Sequence, residues 1–411
     1  MSESGDPPHS TRGPELKRSL GLFSLVFYGL GTIIGAGIYV LVGEVAGKAG
    51  MAAPLSFLTA GAIAGLTGLS YAELVARHPE AAGETAYVAE AFGTPWLSQL
   101  TGLSLIAVVL IAAASIAKGS AGYLQEYVPI SQWLGAGIIV VLFTIVAAVG
   151  VTESVRLAVM MTVLEIGGLL FVVAVGSPSL GDLPARAVEL VPADFGAWTG
   201  MLAGVFIAFF AFIGFDTLAN MAEETRDPAK TLPRAILLAV IISTLLYGIV
   251  TLVSVMTVPP AELAGNPAPL VMVLTRAGFE WGRPFAAIAI LATANGVMIE
   301  VILVARLAYG MARRGLLPQW FASVHPRTRT PLRATLIAGG TVLALVVAIP
   351  FGVLVQATST VVLAVFTLVN LSLWRLQVKR PRADLAIRAP RWVPPLAAFS
   401  CLGLIAAQLL D

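Results

Sequence analysis

Three carboxylates stand where a carboxylate is costly. Glu165, Asp216 and Glu300 each fall inside a long apolar run, and an ionised side chain at mid-membrane depth costs roughly 3 kcal/mol on insertion scales. Each therefore needs a partner, a water-filled cavity or a proton, and the three form the candidate proton-coupling or gating set. Glu165 sits midway in VRLAVMMTVLEIGGLLFVV. Burial disfavours the charged form of a carboxyl, so it is a candidate for proton exchange, with a hydrogen-bonded packing role as the alternative. Asp216 follows a glycine in FFAFIGFDTLAN and is expected to fix the backbone there or to gate. Glu300 is expected to make an interhelical hydrogen bond.

A second unusual stretch is GTIIGAGIYV at 31–40, where glycine interrupts an apolar run. Glycine weakens a helix by about 1 kcal/mol relative to alanine. Unwinding in a membrane also frees backbone N–H and C=O groups, which is tolerated only where they line a cavity or bind something. Freed amides at a half-helix N-terminus suit a carboxylate, because the positive end of the helix dipole lies there. Carbonyls at the end of the preceding half-helix suit an ammonium. An α-amino acid carries both charges on adjacent atoms. The alternative is that Gly35 and Gly37 only permit close helix packing.

The elements that must position these residues are membrane helices. Of 411 residues 58% are hydrophobic and 12% charged, and mean hydropathy is +0.89, against about 25% charged in a soluble domain. A bilayer core needs about 20 apolar residues per helix. That measure predicts eleven spans, near 20–43, 52–76, 96–123, 132–151, 154–176, 197–222, 233–258, 284–311, 332–349, 352–375 and 392–410. With the N-terminus inside, twenty of the 25 Lys and Arg fall on the inner side, leaving Lys48, Lys118, Arg186, Arg276 and Arg283 outside. This satisfies the positive-inside rule and places the C-terminus outside. Residues 1–19 read as a disordered cytoplasmic tail without a signal-peptide layout.

Span 1 breaks at Gly35, Ala36 and Gly37, and span 6 at Gly214 and Asp216. Each break opens a block of five spans, and corresponding breaks in two halves point to a secondary transporter built from inverted repeats. The predicted fold is therefore all-α and integral to the membrane, a five-plus-five inverted-repeat core with discontinuous helices 1 and 6. The first repeat covers 20–176, the second 197–375, and an accessory helix 392–410.

Four segments carry a family resemblance: GTIIGAGIYVLVG, GLSYAELVARHPEAAGETAY, FFAFIGFDTLANMAEETRDPAKTLPRAI and ATANGVMIEVILVARLAYGMARRGLLPQWFASVHPRTRTP. In this order they resemble the amino acid–polyamine–organocation superfamily, with a likeness to bacterial amino acid permeases and cationic amino acid transporters. The resemblance implies a LeuT-like core working by alternating access, with substrate held at the two breaks. It implies that the amides of Ala36 and Gly37 take the substrate carboxylate, with Gly35 allowing the approach. Carbonyls of Ile33, Phe210, Ala211 and Ile213 would take the amino group, and Phe210 would gate the site. Ala36 lacks the hydroxyl that several members carry there. Proton-coupled members have a lysine where Glu165 stands, so their charge mechanism does not transfer directly. Most members have twelve helices, one more than is predicted here.

Other classes fit less well. The single cysteine, Cys401, excludes an intramolecular disulfide and a cysteine metal site. His9, His78 and His325 lie in polar segments, away from any intramembrane catalytic or metal cluster. No repeated filter motif suggests a channel, and the basic residues form no nucleic-acid-binding stripe. The expected activity is amino-acid transport in the cytoplasmic membrane, proton-coupled or by exchange. Sodium-coupled uptake and polyamine or organic-cation transport are the alternatives. No enzymatic activity, metal or cofactor beyond a coupling H+ or Na+ is expected, and oligomeric state is not legible. Two further expectations concern loops. The acidic and basic residues from Glu223 to Arg234 would form an inner gate or docking surface, and PPAELAGNPAPLVMVLTRAGFEWG would form an external cap over the outer vestibule.

Overall fold

The computed structural model describes residues 20–35, 37–78, 83–149, 155–280, 282–313, 315–326, 328, 330–381, 385 and 387–410. The predicted tail at 1–19 and Ala36 lie outside this set. Among the described residues the regular structure is helical, with one isolated parallel bridge between Leu20 and Thr225.

Where the sequence predicts span 1, the chain forms α1 (Leu22–Ile34) and α2 (Gly37–Ala49), the latter running beyond the predicted end. There follow α3 (Ala53–Arg77), the short α4 (Gly83–Phe92), α5 (Pro95–Leu124), α6 (Gln132–Val149), α7 (Val155–Gly176) and the single turn α8 (Leu183–Arg186). Span 6 is also divided. α9 (Phe195–Phe209) passes through a tight turn at Phe210–Phe212 and resumes as a 3-10 segment, Phe215–Glu224. The remainder comprises α10 (Pro228–Thr257), α11 (Pro260–Leu263), α12 (Pro269–Arg276), α13 (Gly282–Arg313), α14 (Leu332–Ala348), α15 (Phe351–Lys379) and α16 (Val393–Leu410).

Local chemistry explains several boundaries. Asp194 caps α9 by accepting the Ala197 N–H at 2.8 Å, which satisfies one of the orphan donors of a helix start. Pro228 opens α10 at a position where its missing N–H costs nothing. Pro350 separates α14 from α15, as the sequence predicts.

Eight helical stretches among the described residues are long and apolar enough to cross a membrane, and three shorter apolar helices accompany them. The protein is multi-pass. Its helix pairs recur in a regular way: α1 packs on α10 and α9 packs on α3, α5 packs on α14 and α15, and α13 packs on α6 and α7. α3 also crosses α10, and α5 crosses α13. Small residues make such approaches possible in a membrane; Gly61 of α3 receives Thr244 of α10, and Gly248 of α10 receives Leu58 of α3.

Candidate functional site

The two interruptions meet. Gly37, the first residue of α2, lies so close to Ala211 in the α9 turn that a Cβ on it would run into the Ala211 Cα and Cβ. Gly214 has φ +121°, and a Cβ there would stand 2.6 Å from the Thr32 carbonyl oxygen. Only glycine satisfies both the backbone conformation and the close approach. Asp216 secures this turn, its carboxylate accepting the Gly214 N–H at 3.0 Å. Thr32 Oγ1 lies 2.9 Å from the Gly29 carbonyl and 3.2 Å from the Gly214 carbonyl, tying α1 to the second break.

Between the breaks is a cavity of about 40 Å³. Ile33, Gly35, Gly37, Phe210, Ile213 and Glu300 all line it. Ala112 and Ile116 of α5 close one wall, and Gly296, Ile299 and Leu303 of α13 form another. The C-terminal end of α1 and the N-terminal end of α2 thus reach the same small space, presenting opposite dipole ends. Ala211 is not among the residues lining the cavity; its carbonyl, like that of Ile33, accepts a hydrogen bond from Tyr247. The Phe210 carbonyl accepts the Ile213 N–H at 3.2 Å.

The three intramembrane carboxylates separate into three places. Glu300 lines the cavity and Asp216 braces the second break. Glu165 is buried on α7 behind the first break, with Oε1 3.9 Å from the point a Gly35 Cβ would occupy. Tyr39 of α2 donates to the Glu165 carbonyl at 2.6 Å, and Tyr123 of α5 donates to the Tyr39 carbonyl at 2.5 Å.

A second cavity adjoins the first toward the arginine-rich end. This larger space of about 350 Å³ shares Thr32, Thr217, Ile299 and Leu303 with the first and is lined further out by Tyr28, Glu84, Asn220, Glu224 and Arg306. Glu84, on α4 outside the spans, accepts from the Tyr71 hydroxyl at 3.0 Å. Burial, and secondarily the Asp216 charge, push its pKa up to about 7. At the opposite end the loop after α10 covers the site. Its Leu263 carbonyl rests on Gly43 of α2 and its Pro267 carbonyl on Gly122 of α5, while α12 packs on α2, α7 and α13. In the loop after the second break, Lys230 pairs with Asp227 at 3.2 Å, both exposed. Leu20 N–H donates to the Glu224 carbonyl at 3.0 Å and Arg226 N–H to the Leu20 carbonyl at 2.9 Å.

Two features escape sequence reasoning. Tyr247 of α10 holds its hydroxyl 2.8 Å from the Ile33 carbonyl and 3.0 Å from the Ala211 carbonyl. A tyrosine amid apolar residues of span 7 is the signal that could have marked it. The second is a buried network at the arginine-rich end. Glu73 pairs with Arg77 and also accepts from Gln377 Nε2 and the Ala389 N–H, each at 2.8 Å. Arg77 donates to the Arg380 carbonyl at 2.9 Å.

Fold and site together define a multi-pass membrane protein of the transporter class, with two interrupted helices facing a common cavity. The chain belongs to the amino acid permease family, which it matches over residues 20–410. It is 30% identical to the branched-chain amino acid permease BcaP of Bacillus subtilis, over 95% of this chain and 88% of that protein. It is 32% identical to the vacuolar cationic amino acid transporter 4 of Arabidopsis thaliana, over 89% of this chain and 63% of that protein. The methylthioribose transporter of Bacillus subtilis is 30% identical over 95% of this chain and 88% of its own length.

Proposed function

We propose that the chain is a secondary active transporter that moves amino acids across the cytoplasmic membrane by alternating access, coupled to protons or running as an exchanger. The observation that carries this reading is the cavity between the two breaks, where half-helix ends of opposite polarity meet. The Gly37 amide would hold the substrate carboxylate. The carbonyls of Ile33 and Ile213 would face the amino group, and Phe210 would close over it. Ala36, whose amide belongs to the same reading, lies outside the described residues.

The architecture we infer is eleven spans with the N-terminus cytoplasmic, and two five-span repeats of opposite topology. The helix pairings support it. Exchanging one block for the other turns α1 on α10 into α9 on α3, α5 on α14 into α13 on α6, and α5 on α15 into α13 on α7. With that orientation the larger cavity opens to the cytoplasm and the α11–α12 loop seals the outside, an inward-facing arrangement. Glu165, packed behind the first break, would carry the coupling proton, with Asp216 holding the second break in shape.

The test is uptake by the purified protein in liposomes across the twenty amino acids, with and without pH and sodium gradients. Accumulation driven by a pH gradient is expected, and Glu165→Gln should lose that accumulation while keeping exchange. Uptake driven by sodium alone would remove the proton role of Glu165. No uptake of any amino acid would remove the transport reading itself.

A further inference from the structure

On the proposed reading the two half-helix ends serve the zwitterionic head of an amino acid, yet one ionisable side chain also lines the cavity. Among the described lining residues Glu300 is the only ionisable one; the others are glycine, threonine or apolar. It belongs to a stripe on one face of α13, formed by Gly296, Ile299, Glu300 and Leu303, the spacing that puts residues on a common helix face. The same stripe continues as Arg306, Leu307 and Gly310 into the larger cavity. Among the described residues lining that outer space, two are acidic, Glu84 and Glu224, and one is basic, Arg306.

An apolar substrate side chain would leave Glu300 either as a desolvated charge or obliged to take up a proton, and both cost free energy that a cationic partner avoids. A carboxylate on the substrate would add repulsion. A side-chain ammonium would instead form a charge-assisted hydrogen bond, stronger than a neutral one.

We propose that Glu300 is the specificity-determining residue of this site, selecting α-amino acids whose side chain ends in an amine. The proposal rests on the reading of the cavity as an amino-acid site. The head binds at the breaks, the side chain lies along α13, and its ammonium meets Glu300.

The test compares substrates that differ only in the terminal amine, lysine against norleucine and ornithine against norvaline, in binding to the full-length protein in lipid nanodiscs at pH 7. The wild type is expected to prefer each amine-bearing partner by about tenfold or more. Glu300→Gln should bring both ratios close to one while norleucine binding holds or improves, which also shows that the variant is folded. If the Gln variant binds nothing, Glu300→Asp, which keeps the charge, should retain the preference. Equal wild-type binding of lysine and norleucine would overturn the proposal while leaving amino-acid transport standing. Unchanged ratios in a folded Gln variant would do the same. Binding of no amino acid would overturn both readings.

Discussion

The Tyr247 hydroxyl lies 2.8 Å from the carbonyl oxygen of Ile33 and 3.0 Å from that of Ala211. One hydroxyl proton serves two carbonyls from two different broken helices, so α10 holds both breaks in register from behind. Removing the hydroxyl leaves two buried carbonyls without this donor, and a lost hydrogen bond of this kind is worth about 1 kcal/mol. Tyr247→Phe is expected to weaken amino-acid binding by roughly fivefold to tenfold with little change in melting temperature. The check is substrate titration by thermal stabilisation; unchanged affinity would separate Tyr247 from the site.

Gly37 and Gly167 offer a matched pair of substitutions. A methyl on Gly37 meets the Ala211 backbone, whereas one on Gly167 of α7 meets nothing within 4 Å. Backbone cannot swing aside as a side chain can, and overpacking typically costs about 1–3 kcal/mol. Gly37→Ala is therefore expected to reduce uptake more than tenfold, with Gly167→Ala near wild type. Uptake by both variants in the same liposome preparation provides the measurement.

Glu84 gives the protein a pH dependence near neutrality. Its folded-state pKa is raised to about 7, above the ordinary carboxylate value. Its contribution to stability is thus fully present below the unfolded value near 4 and is lost as pH rises through 7. Melting temperature in detergent should fall by a few degrees between pH 5 and pH 8. Glu84→Gln should flatten that fall, as differential scanning fluorimetry across the range would show.

Much of this architecture is legible in the sequence because it follows from local composition. Apolar run length marks the spans, and glycine in a costly place marks Gly35, Gly37 and Gly214. Which residue beside a break lines the cavity is not local. Ile33 and Ala211 both flank a break, but only Ile33 lines the space. The Glu73 network was equally hidden. Glu73 meets Gln377 and Ala389 across more than 300 residues of chain, and span counting reads Arg77 only as an orienting charge. Glu300 shows a third case. Its position in an apolar span is plain, whereas the sequence predicts an interhelical hydrogen bond and the fold brings it to the cavity wall.

The central claim is that the divided site between α1–α2 and the α9 turn moves amino acids. Solute counterflow tests it most directly. Liposomes preloaded with an unlabelled amino acid receive a trace of the same labelled compound, with wild type and Gly37→Leu compared side by side. Transient accumulation of label is expected for at least one amino acid with the wild type and none with the folded Gly37→Leu protein. No counterflow by the wild type for any amino acid, or full counterflow by Gly37→Leu, would contradict that claim.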